Sequence, residues 1–270
     1  FSHALHLMSV SFDLLSSFAP VPAPYRGVWR RRQLRVGPMT QAQPVVDDTS
    51  WVHWLQTSVW HADLRVPAGP VIGRDRCAQQ GFAGVTQVQA LPQGEQCTWH
   101  RRIDFQPPGA HADVGWMRFE TPDRLIEVGA LQDYDEIWER LPESTGHYRV
   151  LAECGADGEH VVGLWLLAGI WLMHVQPTLQ PWPDDLQAGD DLAALVGRHP
   201  RQADAWLSTE ISFGRWQDGL WTIERSTQVH LEGQQFVCAM RRDGPDAAAL
   251  ALAGTWRQAR VLEWTEPPAT

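Results

Sequence analysis

Three polar residues stand at alternate positions in Trp60 to Val66, namely His61, Asp63 and Arg65. Their types suit proton transfer. An imidazole and a carboxylate beside a guanidinium can divide acid and base roles, because burial raises a carboxyl pKa and a neighbouring Arg lowers it. Glu136 is a further base candidate, so His61, Asp63 and Glu136 form the catalytic set expected from sequence. A ligand-binding set accompanies it: Trp54, Gln56, Arg65, Trp99, Arg101, Trp116, Glu210 and Arg215. In that set the Arg residues would orient a carboxylate or carbonyl and the Trp residues would supply apolar contact. Glu210 and Glu224 are additional carboxylates of the same kind. The competing explanation is a structural Arg–carboxylate network that serves folding alone.

Period-two alternation places these residues. Trp51 to Thr57 and Trp60 to Val66 alternate bulky and polar side chains around Ser58-Val59, which reads as a β-hairpin. His61, Asp63 and Arg65 then share one face, and Trp60, Ala62, Leu64 and Val66 share the other. The first face points to water or into a cavity, and the second suits a core. His53 and His61 lie on the two strands and, in one register, face each other beside Asp63, a two-His, one-carboxylate set. No metal-binding motif accompanies them, and no metal is expected.

Strand-like runs continue at Tyr25–Val36, Gly81–Ala90, Gln96–Phe105, Asp113–Glu120, Arg124–Gly129, His147–Glu153, His160–Val175, Ser208–Trp216, Gly219–Ser226, Gln228–Leu231, Gln235–Arg242 and Thr255–Trp264. Arg30, Arg31 and Arg32 read as a solvated strand end, with a ligand clamp as the alternative. Leu131–Leu141 has apolar residues at helical spacing, although a strand and its exit fit it too, and Pro181–Leu207 reads as a helical insertion. Many short antiparallel strands with turn signals argue for an all-β barrel or sandwich. The expected architecture is one antiparallel barrel over 25–266 with an insertion at 181–207, preceded by an extension at 1–24. Two fused smaller barrels dividing near residue 145 are the alternative.

Gly27-Val28-Trp29 before a barrel strand resembles the opening of lipocalin and calycin proteins, whose Trp plugs the closed end of the barrel. The order W-L-Q-T (54–57), D-x-R-x-P (63–67), F-A-G (82–84), W-x-R-x-x-D (99–104), E-I-S-F-G-R (210–215) and I-E-R-S-T (223–227) is similar to a group of uncharacterised, mostly bacterial lipocalin-like proteins with a fungal two-barrel relative. The resemblance implies a lipocalin-like barrel and brings no activity with it. The later glycines of the haem-binding calycins are missing after Trp29, so His174 and His230 are not expected to hold haem. A second G-x-W occurs at Gly254-Thr255-Trp256.

Composition narrows the function classes. A net charge of −10 disfavours nucleic acid as a partner. The chain contains neither Lys nor Asn, which excludes Schiff-base chemistry and N-glycosylation and fits a high-GC bacterial genome. No P-loop, G-x-S-x-G or G-x-G-x-x-G is present. Four widely spaced cysteines suit reduced thiols in a cytoplasm. Fifteen Trp suit a wide β core or a pocket for an apolar or aromatic ligand. The leading expectation is therefore a small-molecule-binding barrel that needs no cofactor and no membrane, with a homodimer left open. A cofactor-independent lyase, isomerase or hydrolase comes second, and an interaction scaffold with a filled barrel third.

Overall fold

The computed structural model describes residues 18–37, 44–69, 71–109, 111–158 and 160–265. Alternation of inward and outward side chains builds two closed antiparallel barrels, so the two-barrel alternative is the one the chain adopts.

The first barrel is a meander of β1 (Gly27–Val36), β3 (Trp51–Gln56), β4 (Trp60–Val66), β5 (Gln80–Leu91), β6 (Gly94–Asp104), β7 (Asp113–Thr121), β8 (Arg124–Gly129) and β9 (Tyr134–Arg140). Pairing of β1 with β9 closes it. A short strand, β2 (Val45–Asp47), continues the line of β3 along β1, so the two act as one interrupted stave. The second barrel runs through β10 (Tyr148–Cys154), β11 (Val161–Ala168), β12 (Trp171–Gln176), β13 (Glu210–Gln217), β14 (Leu220–Ser226), β15 (Gln235–Arg242), β16 (Ala247–Leu252) and β17 (Thr255–Trp264), which returns to β10.

The second barrel repeats the first in detail. Trp54 faces Trp29 across β1 and β3, and Trp165 faces Leu151 across β10 and β11. Trp60 and Trp171 open the next strands, each six residues after its Trp. The following strand carries a bulge just before Gly84 in one barrel and just before Gly214 in the other. Both glycines are forced, since a Cβ would lie 2.0 Å from the His100 carbonyl oxygen or 1.9 Å from that of Thr222.

Three apolar clusters follow from this plan. Trp29, Trp54, Trp99 and Trp138 with Phe82, Met117 and Leu125 fill the first lumen. Trp165, Trp221, Leu167, Leu172 and Leu250 fill the second. The largest cluster lies between the barrels, where Trp60, Ala62, Leu64 and Val66 meet Val150, Leu164, Leu166, Met173 and Phe213. The apolar face of the sequence hairpin is thus a seam between barrels, and its polar face turns into the first lumen.

The insertion between β12 and β13 carries α1 (Leu192–Arg198) and α2 (Ala203–Trp206), within the span expected from sequence. Asp191 caps α1 by accepting from the Ala194 N–H at 2.7 Å. The insertion reaches back to the first barrel: Gln106 accepts from the Leu192 N–H at 2.9 Å, and Arg76 donates to the Leu207 carbonyl at 2.7 Å.

Several local expectations are resolved or corrected. Of the two readings of Leu131–Leu141 the strand holds and supplies β9, because Tyr134, Glu136 and Trp138 must alternate with Asp135 and Ile137 to pair with both β8 and β1. Gln228–Leu231 is a 3-10 turn at Val229–Leu231, closed by the Leu231 N–H on the Gln228 carbonyl. Arg31 is buried, since alternation sends it inward while Arg30 and Arg32 face water. Trp29 fills the barrel end beneath the turn Ala23–Tyr25, with Arg140 4.5 Å over its ring. Trp256 is half exposed on an outer face, so the second G-x-W plugs nothing. The expected extension 1–24 is described from residue 18, where Val21 is buried and its N–H donates to the Ser58 carbonyl at 2.7 Å; residues 1–17 lie outside the described residues. Among the described residues no helix is long and apolar enough to cross a membrane.

Candidate functional site

The mouth of the first barrel gathers most of the inward-facing charge. Five carboxyl groups, Asp63, Asp104, Asp113, Glu127 and Glu136, share it with the three guanidiniums of Arg31, Arg65 and Arg101. Arg65 donates to Asp63 at 2.7 Å. Arg31 donates to Glu136 at 2.8 Å and to Asp47 at 2.8 Å. Arg101 donates to Asp113 at 2.6 Å and to Asp104 at 3.0 Å, and its guanidinium lies 3.6 Å from the centre of the Phe82 ring. Every cation of the mouth is therefore already matched.

Glu127 is left with neutral partners. The Tyr134 hydroxyl donates to it at 2.7 Å and the Trp138 indole N–H at 3.1 Å. Two glycines make room for this arrangement. A Cβ at Gly115 would sit 2.8 Å from the Glu127 side chain, and one at Gly129 would sit 2.5 Å from the Tyr134 ring. Glu127 and Glu136 are directly opposed across β8 and β9. Burial pushes both carboxyls up, and each glutamate is raised further by the other or by Asp63, while Arg65 and Arg31 pull Glu136 back. Of this coupled pair Glu136 carries the charge on Arg31, and Glu127 holds its proton to higher pH.

Above the mouth lies an open cleft of about 860 Å³ between the rim of β6 and β7 and the insertion of the second barrel. Trp99, Tyr134 and Trp182 give it aromatic walls, and Arg101, Asp104 and Asp113 give it a polar floor. Volume and lining match those of small-molecule sites.

His61 lies deeper in the same lumen, fully buried. Gln56 donates its amide hydrogens to the carbonyls of Thr57 and Trp60, both at 3.1 Å, so its oxygen accepts the Thr86 hydroxyl hydrogen at 2.7 Å. Thr86 must then accept from Nδ1–H of His61 at 2.9 Å. This chain fixes the neutral Nδ1–H tautomer and leaves Nε2 a lone pair with no partner. Burial, with Arg101 and His100 nearby, pushes the ring well below ordinary imidazole basicity.

The sequence-derived residues divide into four groups. Asp63, Arg65, Glu136, Trp99 and Arg101 come together at the mouth. His61, Gln56 and Trp54 lie below them, with Trp54 packed 5.6 Å from Trp99 and 5.9 Å from Trp138 by ring centres. Trp116 is on the outer face of β7, between the inward Gly115 and Met117. Glu210 and Arg215 belong to the second barrel. Glu210 accepts from His174 at 3.0 Å and from the Ser212 hydroxyl at 2.7 Å, and Arg215 lies exposed 5.1 Å from the Trp171 ring. Arg65 and Arg215 therefore cannot grip one ligand group.

His53 and His61 do not face each other. The register sets His53 against Leu64 and His61 against Gln56, which sends His53 to the seam between barrels, its ring centre 3.9 Å from that of Trp51 and tilted by 30°. Among the described residues no group of three or more His, Cys, Asp and Glu side chains is placed to hold a metal ion. All four cysteines are buried free thiols. Sequence reasoning missed Arg31, Asp104, Asp113, Glu127 and Tyr134 as site residues. The available signal was a polar residue on the same alternation as a lumen-filling side chain: Arg31 with Trp29, Asp113 with Met117, Glu127 with Leu125 and Tyr134 with Trp138.

No protein-family model, curated protein or solved structure matches the chain. Its two eight-stranded antiparallel barrels are consistent with a lipocalin-like fold.

Proposed function

We propose that this chain is a lipocalin-like binding protein that holds a small, largely apolar or aromatic molecule in the cleft over the first barrel. The observation that carries this reading is the cleft of about 860 Å³ with Trp99, Tyr134 and Trp182 above a charge-matched floor. Binding is placed at the mouth because four Trp residues already occupy the lumen below. No guanidinium of the mouth is free, so a carboxylate is a poor polar group for the ligand. The four buried free thiols are in keeping with a cytoplasmic, bacterial protein. Native mass spectrometry of freshly purified protein, followed by a fragment screen, tests the reading. It expects a co-purifying mass or fragment hits whose affinity falls in Trp182→Ala. Fragments that bind only outside the cleft, or none at all, would overturn it.

A second reading, cofactor-independent acid–base catalysis, is favoured by the Glu127–Glu136 pair. Opposed carboxyls that ionise at different pH can supply one acid and one base. It predicts that Glu127→Gln abolishes turnover of a cleft ligand without weakening its binding.

A further inference from the structure

Among the buried polar atoms that find no partner is Nε2 of His61, whose lone pair the cleft reading leaves unexplained. A buried acceptor without a donor is costly, and native structures leave few unmatched. The register shows how a donor would reach it. His61 stands opposite Gly84 on β5, and Gly84 stands opposite Arg101 on β6. Gly84 presents no side chain, and the Phe82 ring two residues before it on β5 touches both groups, its centre 5.6 Å from that of the His61 ring and 3.6 Å from the Arg101 guanidinium that floors the cleft. Arg101 is 35% exposed, and its partners Asp104 and Asp113 both line the cleft.

We propose that the cleft ligand ends in a neutral hydroxyl, of phenol or alcohol type, that donates to Nε2 of His61 after Arg101 turns off Phe82. The proposal rests on the cleft reading and adds the identity of the polar group and of the residue that reads it. Charge on the surrounding elements excludes ionic groups. Asp63, Asp104, Asp113, Glu127 and Glu136 oppose an anion, while Arg101 beside the ring opposes a cation. The locked Nδ1–H tautomer presents an acceptor and no donor, so a carbonyl or ether has nothing to bond there. His174 in the second barrel also has an unpartnered Nε2, but that atom lies 3.1 Å from where a Gly163 Cβ would be and belongs to the other lumen, away from Arg101. It is therefore an internal control.

The test is imidazole ¹⁵N NMR of the full chain with three probes: 4-propylphenol, 4-propylanisole and 4-propylbenzoate. The proposal expects the phenol to move the His61 Nε2 signal towards its hydrogen-bonded position while His174 stays put. It also expects the phenol to bind about tenfold more tightly than the anisole, one hydrogen bond's worth. His61→Phe should remove that preference and leave anisole affinity in place. The wild-type spectra stand as a separate readout, which serves if that variant fails to fold. Equal binding of phenol and anisole in the cleft with an unmoved His61 would overturn the hydroxyl assignment and leave the cleft reading intact. No cleft binding by any probe would overturn both.

Discussion

Arg31 is the most informative single perturbation of the mouth. Its side chain is 5% exposed and that of Glu136 4%, so their 2.8 Å ion pair belongs to the buried regime. Arg31→Met removes the guanidinium and leaves Glu136 opposite Glu127, with Asp47 also unmatched. Breaking one partner of a buried pair costs about 3–5 kcal/mol. Replacing both partners by neutral groups of similar size costs far less, so Arg31→Met with Glu136→Gln should recover most of the loss. The pH dependence has a definite sign. Without Arg31 the folded-state pKa of Glu136 rises further above its usual value of 4.5. The penalty therefore shrinks as the pH falls through the raised pKa and is gone below 4.5, where Glu136 is protonated in both states. Urea unfolding of wild type, both single variants and the double variant at pH 7 and pH 5 measures all of this. A loss under about 1 kcal/mol in Arg31→Met, or a double variant no better than that single, would refute the buried-pair account.

Three other outcomes follow from the packing. Trp54→Ala, which empties the centre of a four-Trp cluster, should cost about 3–5 kcal/mol in urea unfolding, and a much smaller loss would mean the lumen refills. Gly84→Ala and Gly214→Ala should each prevent the bulge and lower soluble yield alike, because both place a Cβ within 2.0 Å of a carbonyl oxygen; tolerance at either site would break the equivalence of the barrels. Burial and Arg30 push His53 down to about 3. The unfolded state then binds the extra proton below pH 6.5, and stability falls by about 1.4 kcal/mol per pH unit until pH 3 from this ring alone; His53→Phe should flatten that slope by one proton in urea midpoints taken against pH.

Much of the hairpin Ser50–Pro67 was legible because period two is a strong local signal. It separated His61, Asp63 and Arg65 from Trp60, Ala62, Leu64 and Val66 correctly. That the second face would be a seam between barrels was not legible, since burial against a second barrel and burial in a lumen demand the same residue types. The repeat was hidden for a related reason. Trp54 and Trp165, Trp60 and Trp171, and Gly84 and Gly214 coincide, yet the inward polar position holds Asp63 in one barrel and His174 in the other. Only the shared register and bulge reveal the match. Glu127 sits between Ile126 and Val128, a pattern that normally marks a solvated residue; its inward placement depends on Gly115 across the sheet. Leu131–Leu141 stayed ambiguous because its apolar spacing fits a helix, while Glu136 and Arg140 are polar at inward positions of a strand. Grouping Glu210 and Arg215 with Arg65 failed because nothing local says which barrel a strand will join.

The central claim is that ligands enter at the mouth of the first barrel. Indole ¹⁵N–¹H NMR during titration with 4-propylphenol tests it most directly, because the chain's fifteen Trp residues report from both lumens, the seam and the cleft. The account predicts that the Trp99 and Trp182 indole signals move together while those of Trp165 and Trp221 stay fixed. Movement confined to Trp165 and Trp221, or no movement at saturating probe, would contradict it.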